Sequence, residues 1–344
     1  MTKASDTANI LKQPFTNTLG TSNYRAGVNT GNTIASGGNF NVLVGDEAGT
    51  ALTTGDNNVA VGYQALSTED ADGGNVALGY RALKTLNRGG EGYNTAVGKD
   101  AGTLISTGVA NTIIGSESGD ALSDADVNVA VGYASLSSDT KGNKTVAIGA
   151  GALSTQNFTS STDSHNTAVG NDAGNGLTTG VNNTLIGSGV GDALTDADQN
   201  TGVGFGSLTT DRKGSKSTAI GFQALASQNF ANTTDSLNTA VGYNSGVLIS
   251  SGIQNTLVGA LAGDALSDAD FNTAVGKGAL SADTLGSKST AVGVGALEVQ
   301  NFTSATNAIN TAVGVNAGNQ VSTGVANNFF GADAGDSTTS GSKN

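Results

Sequence analysis

Residues 58–66 have the sequence NVAVGYQAL, and variants of its first five letters recur along the chain. We take the glycine that closes each variant as position 0 of a repeat. The seventeen repeat glycines are Gly45, Gly62, Gly79, Gly98, Gly115, Gly132, Gly149, Gly170, Gly187, Gly204, Gly221, Gly242, Gly259, Gly276, Gly293, Gly314 and Gly331.

The spacing of these glycines is nearly constant. Most neighbouring pairs have the same separation as Gly45 and Gly62, which defines a 17-residue unit. The gap that ends at Gly98 is two positions longer, and the gaps that end at Gly170, Gly242 and Gly314 are each four positions longer. This regularity indicates a repeat protein, in which every fourth unit is extended and the units are grouped into a four-unit period.

Each position of the unit has its own chemistry. Position −1 is always apolar, and position +3 is small in every unit except the one with Val190. Position −4 is Asn in fourteen units, and Thr145, Ser217 and Ser289 replace it in one phase of the four-unit period. Stacked units would align these Asn residues in a column, with side-chain amides bonded from turn to turn.

Positions +4 and +7 vary together. Where position +4 is Gly, as at Gly102, position +7 is aliphatic, as at Ile105, except in the last unit, which has Thr338. Where position +4 is Leu, as at Leu136, position +7 is polar in every unit but one, and the exception is Leu86. Each unit therefore supplies about one large aliphatic side chain. This pattern predicts a narrow core in which gaps and crowding are both penalised.

Short runs rich in Val, Ile and Thr before a glycine are typical of strands. Frequent Gly and Thr oppose helix. We therefore predict an all-β fold, a β-solenoid or parallel β-roll of seventeen turns. Residues 41–335 would form the repeat shaft, residues 1–40 an N-terminal attachment or capping segment, and residues 336–344 a C-terminal tail. Each of the three longest gaps contains the sequence QNF, ending at Phe158, Phe230 and Phe302, and we expect these rings to pack on the shaft, with a displayed binding contact as the alternative.

Composition restricts the function. The net charge is −13, and the 15 Lys and Arg residues form no basic stripe, so we expect no nucleic-acid partner. There is no Cys, which excludes disulfides. The N-terminus lacks the apolar segment of a signal peptide, and no apolar run is long enough to span a membrane.

Two families resemble this chain over residues 41–335. Residues 146–153, VAIGAGAL, are similar to repeats in the heads of trimeric autotransporter adhesins. That resemblance implies a left-handed parallel β-roll in a trimer. Residues 58–66 are more similar to repeats of bacteriophage tail fibres and other virion fibres. Because the signal peptide and membrane anchor of the adhesins are not visible, we expect a virion fibre, with a bacterial surface adhesin head as the alternative.

The expected partners follow from this interpretation. One large aliphatic side chain per turn gives a weak core, so we predict a homotrimer that buries a second face. The fibre resemblance implies that residues 1–40 attach the shaft to other virion proteins. It also implies a glycan or protein receptor on the host surface, and no membrane insertion.

Catalytic, metal and cofactor sites are not expected. The single histidine, His165, lies in a loop without a matched nucleophile, and the acidic residues follow the repeat, so we predict no enzyme. Asp-Ala-Asp corners at residues 124–126, 196–198 and 268–270 resemble the opening of a calcium loop but lack its Gly and distal Glu, so turn capping is preferred over metal binding. Aromatic residues at position +1, among them Phe205, Phe222 and Tyr243, are predicted to stack between turns, with glycan binding as the alternative.

Overall fold

The computed structural model describes residues 20–344, which contain strands of two or three residues and no helix. The chain divides into two units. The first comprises the described residues up to 144 together with residues 159–162, and the second comprises residues 145–158 and 163–344. The predicted all-β solenoid is confirmed, with about 18 turns at a spacing near 17 residues in the described part of the chain.

The first unit contains eight strands. They are β1 (Tyr24–Ala26), β2 (Val42–Val44), β3 (Val59–Val61), β4 (Val76–Leu78), β5 (Thr95–Val97), β6 (Thr112–Ile114), β7 (Val129–Val131) and β8 (Gly142–Asn143). β1 to β7 pair in parallel, each with the next. Thr95 lies beside Thr112, so the offset of the pairing equals the length of the repeat.

The second unit repeats the arrangement. Its strands are β9 (Val146–Ile148), β11 (Thr167–Val169), β12 (Thr184–Ile186), β13 (Thr201–Val203), β14 (Gly214–Ser215), β15 (Thr218–Ile220), β16 (Thr234–Asp235), β17 (Thr239–Val241), β18 (Thr256–Val258), β19 (Thr273–Val275), β20 (Gly286–Ser287), β21 (Thr290–Val292), β22 (Thr306–Asn307), β23 (Thr311–Val313) and β24 (Asn328–Phe330). The remaining strand, β10 (Thr162–Asp163), contains the division between the units. The three-residue strands form one parallel series, while β14 pairs with β16 and β20 with β22 as short second sheets.

The described stack begins before residue 41. β1 pairs with β2, and Asn23, Gly27, Gly31 and Ile34 occupy positions −4, 0, +4 and +7 of a further turn. Residues 20–40 therefore include a turn of the coil, whereas residues 1–19 lie outside the described residues. At the other end, the backbone N–H of Asn344 donates to Asn327 Oδ1 (3.0 Å), so the predicted tail completes the last turn.

The repeat glycines stack on one another. Gly98 has φ +139°, and a Cβ atom there would lie 2.4 Å from the carbonyl oxygen of Gly115. Both the backbone conformation and the close approach of the next turn therefore require glycine at position 0.

The core contains the predicted volume compensation. Leu136 at position +4 and Ile105 at position +7 are both fully buried. A Cβ on Gly102 would lie 2.9 Å from Ile105 Cδ1, so the +7 side chain fills the space that a +4 side chain would need. Position +4 is left-handed even when it is not glycine, as in Leu136 with φ +53°. This conformation is unfavourable for Leu, which the pattern tolerates only where the side chain fills the core.

The Asn column of position −4 is buried and bonded as predicted. The backbone N–H of Asn58 donates to Asn41 Oδ1 (2.8 Å), and that of Asn75 donates to Asn58 Oδ1 (2.9 Å). Asn58 Nδ2 donates across its own turn to the carbonyl of Asp72 (2.8 Å). Each Asn side chain thus satisfies buried backbone groups in two turns.

Candidate functional site

The strands present one outward face. Position −2 points into the core, so positions −3 and −1 point outward. We call these two columns the strand face. In the second unit its apolar members include Ile186, Ile220 and Val258, which are 37–40% exposed. Thr fills position −3 of most turns. An apolar row that continues from turn to turn is a common feature of an interaction surface.

Aromatic side chains at position +1 form a second exposed column, and the predicted stacking between turns is confirmed. The ring centroids of Phe205 and Phe222 are 5.6 Å apart, and those of Phe222 and Tyr243 are 5.4 Å apart. Tyr63 and Tyr80 also stack, at 5.6 Å. Stacking covers only the faces between rings, so these side chains remain substantially exposed.

The long loops are anchored by the QNF sequences. Phe230 is 7% exposed, which confirms that this ring packs on the shaft, and Gln228 is fully buried. Beyond them, Ala231, Asn232 and Thr233 form an exposed tip before β16 begins. The loops that contain Phe158 and Phe302 have the same arrangement of buried ring and exposed tip. The insertions therefore display small and polar side chains beside buried anchors.

Gln228 takes the place of a ladder Asn. Where Ser217 stands at position −4, its backbone N–H donates to Asn200 Oδ1 (2.9 Å) as usual, but its short side chain cannot reach across the turn. Gln228 Nε2 donates to Ser217 Oγ (2.9 Å), and Gln228 Oε1 accepts from Asn238 Nδ2 (2.8 Å). The column therefore continues through the Gln side chain. Sequence reasoning missed this network, although Ser at −4 and Gln at +7 occur together.

A buried carboxylate completes that network. Asp211 is fully buried, and its Oδ2 accepts from Gln228 Nε2 at 2.5 Å. Its Oδ1 accepts from the backbone N–H groups of Gly214 (3.0 Å) and Phe230 (3.4 Å). Burial raises the pKa of Asp211, while these donors act in the opposite direction. Asp283 and Gln300 form the same pair one period later.

The Asp-Ala-Asp corners cap backbone. Asp198 Oδ1 accepts from the backbone N–H of Val181 (2.8 Å), and Asp270 Oδ1 accepts in the same way from Ile253 (2.8 Å). This is the capping role preferred from the sequence. In residues 20–344 no three His, Cys, Asp or Glu side chains converge as a metal-binding group. The calcium alternative stays a prediction for titration.

The remaining predicted features are dispersed. His165 is exposed in a left-handed turn with φ +49°. Within the described part of the chain, no helix has the length and apolar character needed to cross a membrane. No family model, curated protein or solved structure matches the chain.

Proposed function

We propose that this chain is the shaft of a trimeric virion fibre and contributes to attachment to the host cell. The observation that carries the proposal is the pairing of equivalent three-residue strands in every turn of each unit. A coil of this kind is an extended scaffold whose turns contact only their neighbours. Its virion location is supported by the similarity of residues 58–66 to phage fibre repeats.

The strand face supports the trimer. Its exposed apolar residues recur with the turns, so a partner that covers them along the coil needs the same axial spacing. A second copy of the chain has that spacing by construction. A closed ring of three copies would bury the strand face and leave no unpaired copy of it. Each chain would then gain the apolar burial that its narrow core lacks.

The oligomeric part is tested by light scattering coupled to size-exclusion chromatography. We expect a mass three times the 33.6 kDa of one chain. A variant with Ile186→Asp, Ile220→Asp and Val258→Asp places charges on the strand face and should reduce the mass to one chain. Leu248→Asp is the matched control, because Leu248 is also an exposed aliphatic residue but lies off the strand face. A wild-type mass of one chain would remove the trimer.

The location is tested separately. Antibodies raised against the purified chain should label fibres on phage particles in electron micrographs. Labelling confined to the surface of bacterial cells would replace the virion fibre with the adhesin head.

A further inference from the structure

A groove runs along several turns of the second unit. Its volume is about 400 Å³, and its polar lining comes from Asp264, Lys277, Ser281, Glu298 and Asn316. These residues belong to positions +1, +2 and +5 of four successive turns, so the groove lies apart from the strand face. At about 4.8 Å per turn, four turns give a length of roughly 14 Å between the first and the last.

Glycine at position +2 opens the groove. Gly278 and Gly295 line it, whereas the turns on either side carry Leu261 and Asn316 at the same position. Within the described part of the chain, a Cβ added at Gly278 would meet only Ser281 Oγ, at 3.9 Å. Packing therefore does not require glycine there. Its left-handed backbone, with φ +65°, is one that Asn316 also adopts, with φ +54°.

One end of the groove adjoins the aromatic stack. The N–H of Leu261, which lines the groove, donates to the carbonyl of Tyr243 (2.9 Å), so the two residues lie on adjacent turns. The next residue in the aromatic column is Ala260, which is too small to cover the ring of Tyr243. Exposure agrees: the end rings Phe205 and Tyr243 are 57% and 53% exposed, and the central ring Phe222 is 41% exposed.

The chemistry of this surface fits a sugar. Pockets for apolar ligands are lined mostly by hydrophobic side chains. This groove instead combines donors and acceptors: Lys277 donates, Glu298 and Asp264 accept, and Ser281 and Asn316 do both. A pyranose ring has hydroxyl groups that donate and accept, together with an apolar C–H face that packs on an aromatic ring.

We propose that the groove binds a short oligosaccharide, with one sugar stacked on the outer face of Tyr243 and the hydroxyl groups of the following sugars bonded along the groove. This inference rests on the attachment part of the proposed function and names the receptor class. The ring of Phe222 supports the inner face of Tyr243, since the two rings are stacked at an interplanar angle of 11°.

The experiment uses the full chain on an array of oligosaccharides from bacterial surface polysaccharides and animal glycans, followed by calorimetric titration of the strongest ligand. Gly278→Asn fills the groove with a side chain that the backbone accepts, and should weaken binding at least tenfold. Tyr243→Ala should weaken it by a similar factor. Ala134→Asn is the matched control. Ala134 lies at position +2, in the same phase of the four-unit period as Gly278, and the variant should bind as the wild type does.

Two results overturn the proposal. One is a wild-type chain that binds no oligosaccharide above the level of the bare array surface. The other is equal affinity in the Gly278→Asn and Ala134→Asn variants. A trimeric chain that binds no sugar would reject this inference and leave the fibre assignment in place, whereas a monomeric chain that binds sugar would remove the trimer and keep this inference.

Discussion

Position +7 is a buried acid both in the turn of Glu69, in the first unit, and in the turn of Asp211, in the second. The two carboxylates differ in their hydrogen-bond partners. Glu69 is fully buried, and its Oε1 accepts from the backbone N–H groups of Ala71 (3.0 Å) and Asp72 (2.5 Å). Among residues 20–344, its Oε2 has no hydrogen-bond partner. Both carboxylate oxygens of Asp211, in contrast, accept hydrogen bonds.

The following turn explains the difference. Position +7 of the turn after Asp211 is Gln228, which donates to the carboxylate, whereas the turn after Glu69 has Leu86 there. Burial, together with the nearby Asp72 carboxylate, raises the pKa of Glu69 to about 8. The comparison teaches that the acid, the Gln and the longer loop form one hydrogen-bond network, which we call the acid–Gln network. In the Glu69 turn, which lacks the Gln, burial beside the Asp72 carboxylate holds the acid in a site that favours its protonated form.

The largest effect is expected from removal of the satisfied carboxylate. Asp211→Leu leaves Gln228 Nε2 and the N–H groups of Gly214 and Phe230 buried without their acceptor. At roughly 1–3 kcal/mol for each unsatisfied donor, we expect a loss of about 4 kcal/mol. Urea denaturation measures the loss, and hydrogen exchange should show lost protection at Gly214 and Phe230. Asp211→Asn, which keeps one acceptor oxygen, is the milder control; a Leu variant as stable as the wild type would refute the role of the network.

A second prediction concerns the unsatisfied acid. The folded-state pKa of Glu69, about 8, lies above its ordinary value of 4.5, so its contribution to stability is complete below pH 4.5 and is lost as pH rises through 8. Glu69→Gln stays neutral and should be more stable than the wild type by about 3 kcal/mol at pH 7, at about 1.4 kcal/mol per pKa unit.

Denaturation of both proteins between pH 4 and pH 9 measures this gain. The difference between the two should grow from pH 4.5 to about pH 8 and level off above it. A difference that does not change with pH would show that Glu69 has an ordinary pKa in the folded chain.

The smallest effect is expected when the acid–Gln network is introduced into the turn of Glu69. Leu86→Gln gives the Glu69 turn the donor that Gln228 provides to Asp211. We expect the pKa of Glu69 to fall by about one unit, which corresponds to about 1.4 kcal/mol at neutral pH. Carboxyl chemical shifts followed through a pH titration report the change. The reciprocal variant, Gln228→Leu, should raise the pKa of Asp211. If neither variant changes the titration of its acid, the Gln does not affect the pKa of the acid.

Much of the fold could be predicted from the sequence because each turn has the same neighbours. The spacing of the glycines predicted the strand pairing, and the exchange between positions +4 and +7 predicted the core. The turn around Gly27 was missed because its sequence, YRAG, lacks the usual apolar pair and because the next repeat glycine, Gly45, lies one position beyond the usual spacing. Its Asn23 and Ile34 nevertheless obey the positional pattern.

The candidate sites were less predictable because they depend on side chains from several turns. The role of Gln228 requires knowing that it lies beside Asp211 and Ser217 at once. The groove depends on Gly278, whose missing side chain is informative only when its neighbours on adjacent turns are known. In both cases the signal is a combination of residues from neighbouring units, whereas a motif lies within one unit.

The central claim is that each residue lies beside the residue one repeat further along. The chain has no Cys, so any disulfide that forms in a variant comes from the engineered cysteine pair. Thr239 lies beside Thr256, and Thr256 beside Thr273. Oxidation of Thr239→Cys/Thr256→Cys should give an intramolecular disulfide, because adjacent strands are about 4.8 Å apart. Thr239→Cys/Thr273→Cys, with two spacings between the sites, should not form one. Failure of the first pair, or equal yields from both, would contradict the stacked coil.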